Sequence, residues 1–370
     1  MRILVLTKRQ YTGRDLLDDR FGRLFEIPEK LAAMGHEVRG LTCSYRPRPE
    51  GITQHGRVTW RSFNATLLRG GTLRHLREIR QEIRVFQPDL VWASSDMWHA
   101  IACRRVCQEM GVPYVLDLYD NYESFLLSKI PGVRHCFKKA CREADGVTSI
   151  STPLSTYLER DYGVSVNRIL TLGNATNPNE FFPADRQTAR KKLNLEGSEF
   201  LIGTAGALGR SRGTSVLLRA LPLIRQRFPQ LQLVLAGPHD GSLPLTSTQG
   251  LRYLGVLPPD AVPAFYNAMD VSLICNRPSS FGSYCYPQKL NEILACETRL
   301  LAANVGGLGE QLADQPSHLF SPDDEVDLAA KLCDLITRPC RRPIQPIYWQ
   351  QRANELSSFI DSRLSAARVI

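Results

Sequence analysis

The sequence contains no apolar run near the roughly 18 residues that a membrane-crossing helix needs. Its opening residues, MRILVLTKRQ, give too short an apolar run for a secretory leader, and no small-residue cleavage site follows. Cysteine occurs ten times, but without paired metal spacing: Cys103 and Cys107, for example, stand four apart on an expected helix. Reduced thiols in a cytosolic protein are the simple reading, and no metal site is expected. Low-complexity segments, short-period repeats and nucleic-acid-binding motifs are also missing. These absences set aside a membrane-spanning protein, a disulfide scaffold, a zinc finger and a nucleic-acid reader.

What is present is an ordinary globular composition. The chain has 370 residues, 43% hydrophobic and 22% charged, which suits two domains with sizeable cores. The formal net charge is +9 and it is uneven. Residues 1–170 carry 26 lysines and arginines against 19 acidic residues, whereas residues 171–370 carry 20 against 18. The stretch GRVTWRSFNATLLRGGTLRHLREIRQEIRVF (56–86) concentrates the excess. A basic face attracts nucleic acid, anionic lipid or an anionic substrate. Without a nucleic-acid motif the anionic membrane surface is the functional reading, and a merely solvated basic face is the equal alternative. The expected location is cytoplasmic, with peripheral attachment to the inner face of the membrane as an extension of that reading.

Strand and helix patterns alternate along the chain. RILVLT (2–7), HEVRGLTC (36–43), PDLVWAS (88–94), VPYVLDLYD (112–120) and GVTSIS (146–151) read as strands. Helical patterns separate them over 23–35, 73–86, 99–111 and 133–144, with one more to about 161. Around 170–183 the Asn- and Pro-rich ILTLGNATNPNEFFPAD reads as a linker. The alternation then restarts with strands at 199–208, 231–237, 252–257, 270–275 and 318–321, and helices at 213–228, 260–268 and 324–337. A last amphipathic helix spans about 348–366. The fold class is therefore α/β, with two doubly wound domains, 1–170 and 171–345, followed by a segment 346–370 that carries the last helix. Ligands of such sheets bind outside the carboxyl ends of strands, and with two domains the cleft between them is the default site.

One stretch, YPQKLNEILACETRLLAANVGG (286–307), combines a helix and a strand. Pro287 suits a first-turn position, and Lys289 and Glu292 share one face of that turn. A cation beside free N–H groups suits a phosphate, and a carboxylate beside them suits a hydroxyl. The plain alternative is a surface ion pair worth about 0.2–0.5 kcal/mol.

The order and spacing of several segments carry a resemblance. FGRLFEIPEKLAAMGHEV, GVTSIS, LGNATNPNEFFP, GTAGALGRSRGTSVLLRAL, the Pro-x-Lys-x-x-Glu stretch and LAANVGGLGEQL together resemble the GT-B glycosyltransferases of the retaining family-4 type, over essentially the whole length. The resemblance implies two Rossmann-like domains facing a cleft, the first binding the acceptor and the second the nucleotide-sugar donor. It also implies a C-terminal helix crossing back to the first domain. The activity implied is transfer of a sugar from a nucleotide-sugar donor to a glycan or lipid-linked acceptor, in surface polysaccharide or glycolipid assembly, with retention and without an essential metal or other cofactor. A nucleotide-sugar 2-epimerase and a non-catalytic sugar-nucleotide-binding subunit of a synthase complex are the alternatives on the same architecture.

Residue by residue, the diphosphate falls to Gly206, Gly209, Arg210, Arg212, Gly213 and Lys289. Fixed positive groups there stabilise charge growing on the leaving diphosphate. Arg212 stands where the family usually has Lys, and Ala207 where it usually has Arg. Glu292 matches the last Glu of the family's Glu-x7-Glu pair, which holds the ribose. The first Glu is replaced by Tyr284, so Ser283, Tyr284 and Cys285 would line the donor-sugar region, with backbone N–H groups of that loop offered to the sugar or phosphate. Glu310, after Gly306 and Gly307, caps or orients its loop. In the first domain Gly13, Arg14, Asp18, Asp19 and Arg20 are the acceptor or cleft residues, with Arg23 a further phosphate candidate. Asp120 and Asp117 are the catalytic candidates, with Glu123 beside them. Front-face attack assisted by the leaving phosphate needs no protein nucleophile, so Asp120 is expected to orient or accept a proton; capping a helix is its plain alternative.

Overall fold

A strand such as Leu90–Ser94, apolar along most of its length, has no polar face to present to water and needs cover on both sides. The computed structural model supplies that cover with two parallel sheets, each in its own compact unit: Met1–Asn174 with Trp349–Ile370, and Ala175–Tyr348. It describes the chain apart from residues 12, 67–69, 125–128, 198–199, 246–247, 339–343 and 368–370. Thr12, Arg69 of the basic stretch and Glu199 of the expected strand 199–208 lie outside the described residues.

In chain order, unit 1 begins with β1 (Arg2–Lys8), the short pair β2 (Gln10–Tyr11) and β3 (Arg14–Asp15), α1 (Leu16–Asp19) and α2 (Arg23–Ala33). It continues with β4 (Glu37–Ser44), β5 (Gly51–His55), β6 (Val58–Asn64), α3 (Gly71–Phe86), β7 (Leu90–Ser94) and α4 (Met97–Met110). Then come β8 (Tyr114–Leu118), α5 (Val133–Glu143), β9 (Gly146–Ser149), α6 (Thr152–Tyr162) and β10 (Ile169–Thr171). Unit 2 holds α7 (Arg186–Lys192), β11 (Leu201–Ala205), α8 (Ser215–Arg227), β12 (Gln232–Ala236), β13 (Leu251–Tyr253), α9 (Val262–Ala268) and β14 (Val271–Ile274). After these follow α10 (Lys289–Ala295), β15 (Arg299–Ala303), α11 (Gly306–Gln311), β16 (Leu319–Phe320) and α12 (Glu325–Thr337). The last helix, α13 (Trp349–Ala367), belongs to unit 1, where it packs on α2. Gly146 makes room for it, since a Cβ there would lie 2.6 Å from the Phe359 ring.

The unit 1 sheet runs β10-β9-β8-β7-β1-β4-β6-β5 and is parallel except for β5, which is antiparallel to β6. The unit 2 sheet runs β13-β12-β11-β14-β15-β16, parallel throughout. In both sheets the order turns back at the first strand of the unit, β1 or β11, as in doubly wound folds. Every residue of β7, β8 and β11 is buried.

Two sequence expectations change. The start of the expected linker is the edge strand β10, whose Ile169 and Leu170 register against Val147 and Thr148 of β9. The basic stretch is not a free cationic face. Arg61 pairs with Glu78 and Glu82 at 2.7 Å each, Arg74 with Glu50 at 2.8 Å, and Arg80 with Glu109 at 2.7 Å. Much of the local charge is thus neutralised within the unit.

The core of unit 1 contains an ion pair. Arg23 and Asp117 are both fully buried and meet at 2.7 Å. Asp117 Oδ1 also accepts from Thr148, and Oδ2 from Ser94, while Arg23 donates to the Leu172 carbonyl. Removing one partner of such a pair strands a charge, at about 3–5 kcal/mol. Asp117→Ala should therefore lower the stability of unit 1 by about that amount. Urea unfolding followed by a probe in each unit should show the loss in unit 1 with the unit 2 transition unmoved.

Candidate functional site

β11 ends at Ala205, and the chain turns through Gly206, Ala207, Leu208 and Gly209 into a single 3-10 turn, Arg210–Arg212, before Gly213 and α8. Leu208 is buried, anchoring the loop. Gly206 takes φ +121° and Gly213 φ +77°, values that suit glycine. At Gly213 space is also a constraint: a Cβ would fall 1.7 Å from the Cys275 carbonyl oxygen, just past β14.

The opening of α10 comes to the same loop. Lys289 Nζ donates to the Ala205 carbonyl at 2.8 Å, and a Cβ on Gly206 would lie 3.2 Å from that ammonium. Burial pushes the Lys289 ammonium below the usual lysine range. Pro287 does not occupy the first turn, as the sequence suggested: the helix starts at Lys289, and Pro287 lies in the turn before it. Glu292 is buried, its Oε1 accepting from Gln288 at 3.1 Å and its Oε2 from the Tyr266 hydroxyl at 3.2 Å. Burial and the Glu292 charge keep the Tyr266 phenol protonated, so it can donate. The surface ion pair is therefore excluded as an account of Lys289 and Glu292.

Arg212 is exposed and lies over the Phe281 ring at 4.5 Å. Arg210, with Ser215, Arg219, Ser242 and Arg277, lines an open cavity of about 470 Å³. There Arg219 is paired with Glu325 and Arg277 with Asp323. Gly209 opens onto Asp240, whose carboxylate would meet an added Cβ at 2.2 Å.

The loop carrying Ser283, Tyr284 and Cys285 differs from expectation. The N–H groups of these three residues are not offered outward. Ser283 donates to the Ser279 carbonyl, Tyr284 to Phe281 and Cys285 to Gly282, because the segment closes into consecutive turns. The three side chains remain half-buried. The Cys285 carbonyl accepts from Gly307 N–H at 3.0 Å, which ties the loop to the start of α11. Glu310 is exposed in α11.

In unit 1, Asp117 is not at a surface where a substrate could reach it. It sits inside the sheet, with both carboxylate oxygens engaged by Arg23, Thr148 and Ser94. Arg23 is corrected with it, from phosphate ligand to core residue. Asp120, three residues on and past the end of β8, is half-buried, and its Oδ1 accepts from the Asn121 N–H at 2.8 Å. Glu123 accepts from Arg134, Tyr157 and Tyr162 at 2.6–2.9 Å, fixing the segment after β8 to α5 and α6.

Gly13, at φ +83°, lies in the turn between β2 and β3, and Arg14 stacks over Phe21 at 4.3 Å. Asp18 and Asp19 are exposed yet tethered: Asp18 accepts from Arg9 at 3.1 Å and Asp19 from the Asp15 N–H at 2.7 Å. Arg20 ends α1 in the left-handed region at φ +50°. The organiser of this region is buried Arg9, paired with Asp15 at 2.7 Å. Sequence reasoning missed it, because nothing in a lone Arg beside Lys8 signals burial.

Among the described residues one set of metal-ligating side chains converges, Cys43, His75 and His99, all buried. They come from β4, α3 and α4, so no sequence spacing could reveal them.

Two doubly wound units, with a glycine loop after the first strand of the second, define the GT-B class. Family models agree. "Glycosyl transferase 4-like domain" matches residues 23–175 and "Glycosyl transferases group 1" matches 199–338. Between them they take in most of the chain, which belongs to the GT-B glycosyltransferase family. The chain is 30% identical over 214 residues to a D-inositol 3-phosphate glycosyltransferase of Rhodococcus jostii, covering 54% of this chain and 46% of that protein. It is 26% identical over 252 residues to that of Saccharomonospora viridis, covering 61% and 57%. The chain thus spans about half the length of the curated relatives it matches. Among solved structures, the sucrose-phosphate synthase of Thermosynechococcus elongatus superposes with TM-score 0.74 at 18% identity, over 99% of each chain. Anabaena HepE in complex with UDP gives 0.70 at 16%, over 100% of this chain and 99% of that one. At these identities the likeness concerns the fold.

Gly213 and Gly241 share φ +77°, but a Cβ at Gly241 meets nothing within 4 Å. Gly241→Ala should cost only the backbone term, about 1–2 kcal/mol. Gly213→Ala should add an overpacking cost of about 1–3 kcal/mol. Thermal unfolding of the two variants measures the difference.

Proposed function

We propose that the chain is a glycosyltransferase that moves a sugar from a nucleotide-sugar donor to a hydroxyl of a glycan, lipid-linked or sugar-phosphate acceptor. The observation that carries this reading is the placement of the Lys289 ammonium against Ala205 and Gly206, with the Glu292 carboxylate one helical turn further on. A cation held at a glycine-bearing backbone turn suits a diphosphate, and a buried acceptor carboxylate nearby suits the vicinal hydroxyls of a ribose. In this proposal unit 2 holds the donor. Gly206, Gly209 and Gly213 allow close backbone approach, and Lys289, Arg212 and Arg210 neutralise charge on the leaving diphosphate. Glu292 takes the ribose, and the Ser283, Tyr284 and Cys285 side chains border the donor sugar. Because cationic side chains are at hand for the diphosphate, no metal is assigned to the transfer.

Unit 1 presents the acceptor in this proposal. Asp120 orients the acceptor hydroxyl or accepts its proton, and Gly13, Arg14, Asp18, Asp19 and Arg20 contribute to its binding. The curated relatives are named for a phosphorylated acceptor, D-inositol 3-phosphate, and the basic excess of residues 1–170 suits an anionic acceptor. Retention of configuration follows the front-face scheme, in which the leaving phosphate assists attack on its own face.

Calorimetry and thermal shift against nucleoside diphosphates and sugar nucleotides test the donor assignment. Saturable binding of one nucleotide should raise Tm by mass action. Glu292→Ala and Lys289→Met should each weaken it by about tenfold or more, a loss of at least 1.4 kcal/mol. No binding by the folded wild type would overturn the donor assignment. Binding without turnover, across a screen of phosphorylated and glycan acceptors, would favour the non-catalytic subunit instead.

A pH profile adds an independent check. Burial lowers the Lys289 pKa, so its charge is complete at low pH and is lost sooner than an ordinary lysine's as pH rises. Diphosphate binding should therefore weaken on raising the pH towards the usual lysine range, and Lys289→Arg should hold binding to higher pH.

A further inference from the structure

The Cys43, His75 and His99 cluster lies within unit 1 and has no part in the proposed transfer. Cys43 is the next-to-last residue of β4, His75 lies near the start of α3, and His99 is in the first turn of α4. Their exposures are 1%, 4% and 1%. Their potential ligand atoms all lie within 4.8 Å of one another. Zn–S and Zn–N bonds of about 2.3 and 2.0–2.1 Å in a tetrahedron separate ligand atoms by roughly 3.5 Å. Binding would require the set to close from that limit to this spacing.

The hydrogen bonds around His99 define which nitrogen is available. Its Nδ1 lies 3.0 Å from Asp96 Oδ1 and 3.1 Å from the Tyr45 hydroxyl. Asp96 also accepts from the His99 N–H at 3.0 Å and from Tyr45 at 3.0 Å, so the carboxylate is held in place. A carboxylate fixes the proton on Nδ1, which leaves the lone pair on Nε2. Nε2 is buried and has no hydrogen-bond partner among the described residues. A buried acceptor left unpaired is costly, and carboxylate–histidine–metal is a recurring way of using this arrangement. The His75 ring packs edge-to-face against His99, with centroids 4.7 Å apart.

We propose that Cys43, His75 and His99 bind a zinc ion inside unit 1, with Asp96 and Tyr45 orienting His99. Two imidazoles and a thiolate are a donor set for zinc rather than for calcium or magnesium, which take oxygen ligands. The charges close as well. Zn²⁺, the Cys43 thiolate and the Asp96 carboxylate sum to zero, as a buried cluster requires. On binding, the Cys43 thiol gives up its proton to solvent as the S–Zn bond forms. The ion would join β4, α3 and α4 at the carboxyl end of the sheet, with the fourth tetrahedral position left to a water, and it is separate from the donor residues of unit 2.

The test is titration of the full chain, first stripped with a chelator, with Zn²⁺ and with Co²⁺ as a spectroscopic stand-in. Stoichiometric zinc binding that raises Tm, together with a thiolate-to-cobalt charge-transfer band, is the expected result. Cys43→Ser should remove that band, and His99→Gln should weaken zinc at least tenfold. Cys136→Ser, which changes an exposed cysteine, should leave both unchanged. The proposal is overturned if the folded wild type takes up no stoichiometric metal, or if its cobalt spectrum lacks the thiolate band. Unchanged binding in Cys43→Ser overturns it too. The wild-type titration decides even where a variant fails to fold.

Discussion

Arg23 carries a full positive charge into the core of unit 1 with no part of its side chain exposed, and Asp117 makes this tolerable. Burying either ion alone would cost several kcal/mol. Together with Thr148, Ser94 and the Leu172 carbonyl they form a network in which each group holds another. That network reaches α2, β7, β8, β9 and the residues after β10, so it ties three neighbouring strands to the first long helix. It also sets where β8 ends, and therefore where Asp120 stands. Asp117, on the strand, belongs to the core, and Asp120, three residues later, lies beyond the strand. The functional assignment in unit 1 thus follows from where a buried ion pair stops.

Unit 2 is organised by close approach rather than by charge burial. Gly213 exists as glycine because the Cys275 carbonyl occupies the space a side chain would need. Gly237 does the same against Gly206, where a Cβ would lie 2.1 Å from the carbonyl oxygen. These contacts press the loop after β11 against the ends of β12 and β14, and Lys289 closes it from the side of α10. The glycines bring backbone near backbone, and the lysine then meets the Ala205 carbonyl. In the proposed function an anion competes with that carbonyl for the lysine.

The sequence carried most of the strand and helix order, because parallel strands buried on both faces read as apolar runs. It lost the edges. In β5, GITQH, four of five residues are exposed, so no apolar pattern marks it. In β10 three residues suffice because β9 beside it supplies the pairing. The grouping of the residues proposed for the donor was legible, since Lys289 and Glu292 lie within one helical turn and Gly206 to Gly213 within one loop. Asp117 was not, because its partner Arg23 is 94 positions away, and an acidic residue at a strand end reads the same whether it faces a substrate or a guanidinium. Arg9 and Asp15, six apart, were missed for a related reason: burial of an arginine is decided by what folds over it.

Cys43, His75 and His99 show the same limit most sharply. Each is unremarkable in its own segment: a cysteine in an apolar strand, and a histidine in each of two helices. Their meeting depends on β4 lying beside β1 and on α3 and α4 packing together, which is information about topology. The parallel crossover explains why such a meeting is possible. Right-handed crossovers bring the starts of successive helices to the carboxyl ends of their strands, so Cys43 near the end of β4 and histidines early in α3 and α4 converge on one edge. The arrangement that makes a doubly wound sheet a binder of substrates at that edge also makes it a collector of ligand side chains there. A fold known for one kind of site is thereby equipped to build a second, from residues far apart in the chain.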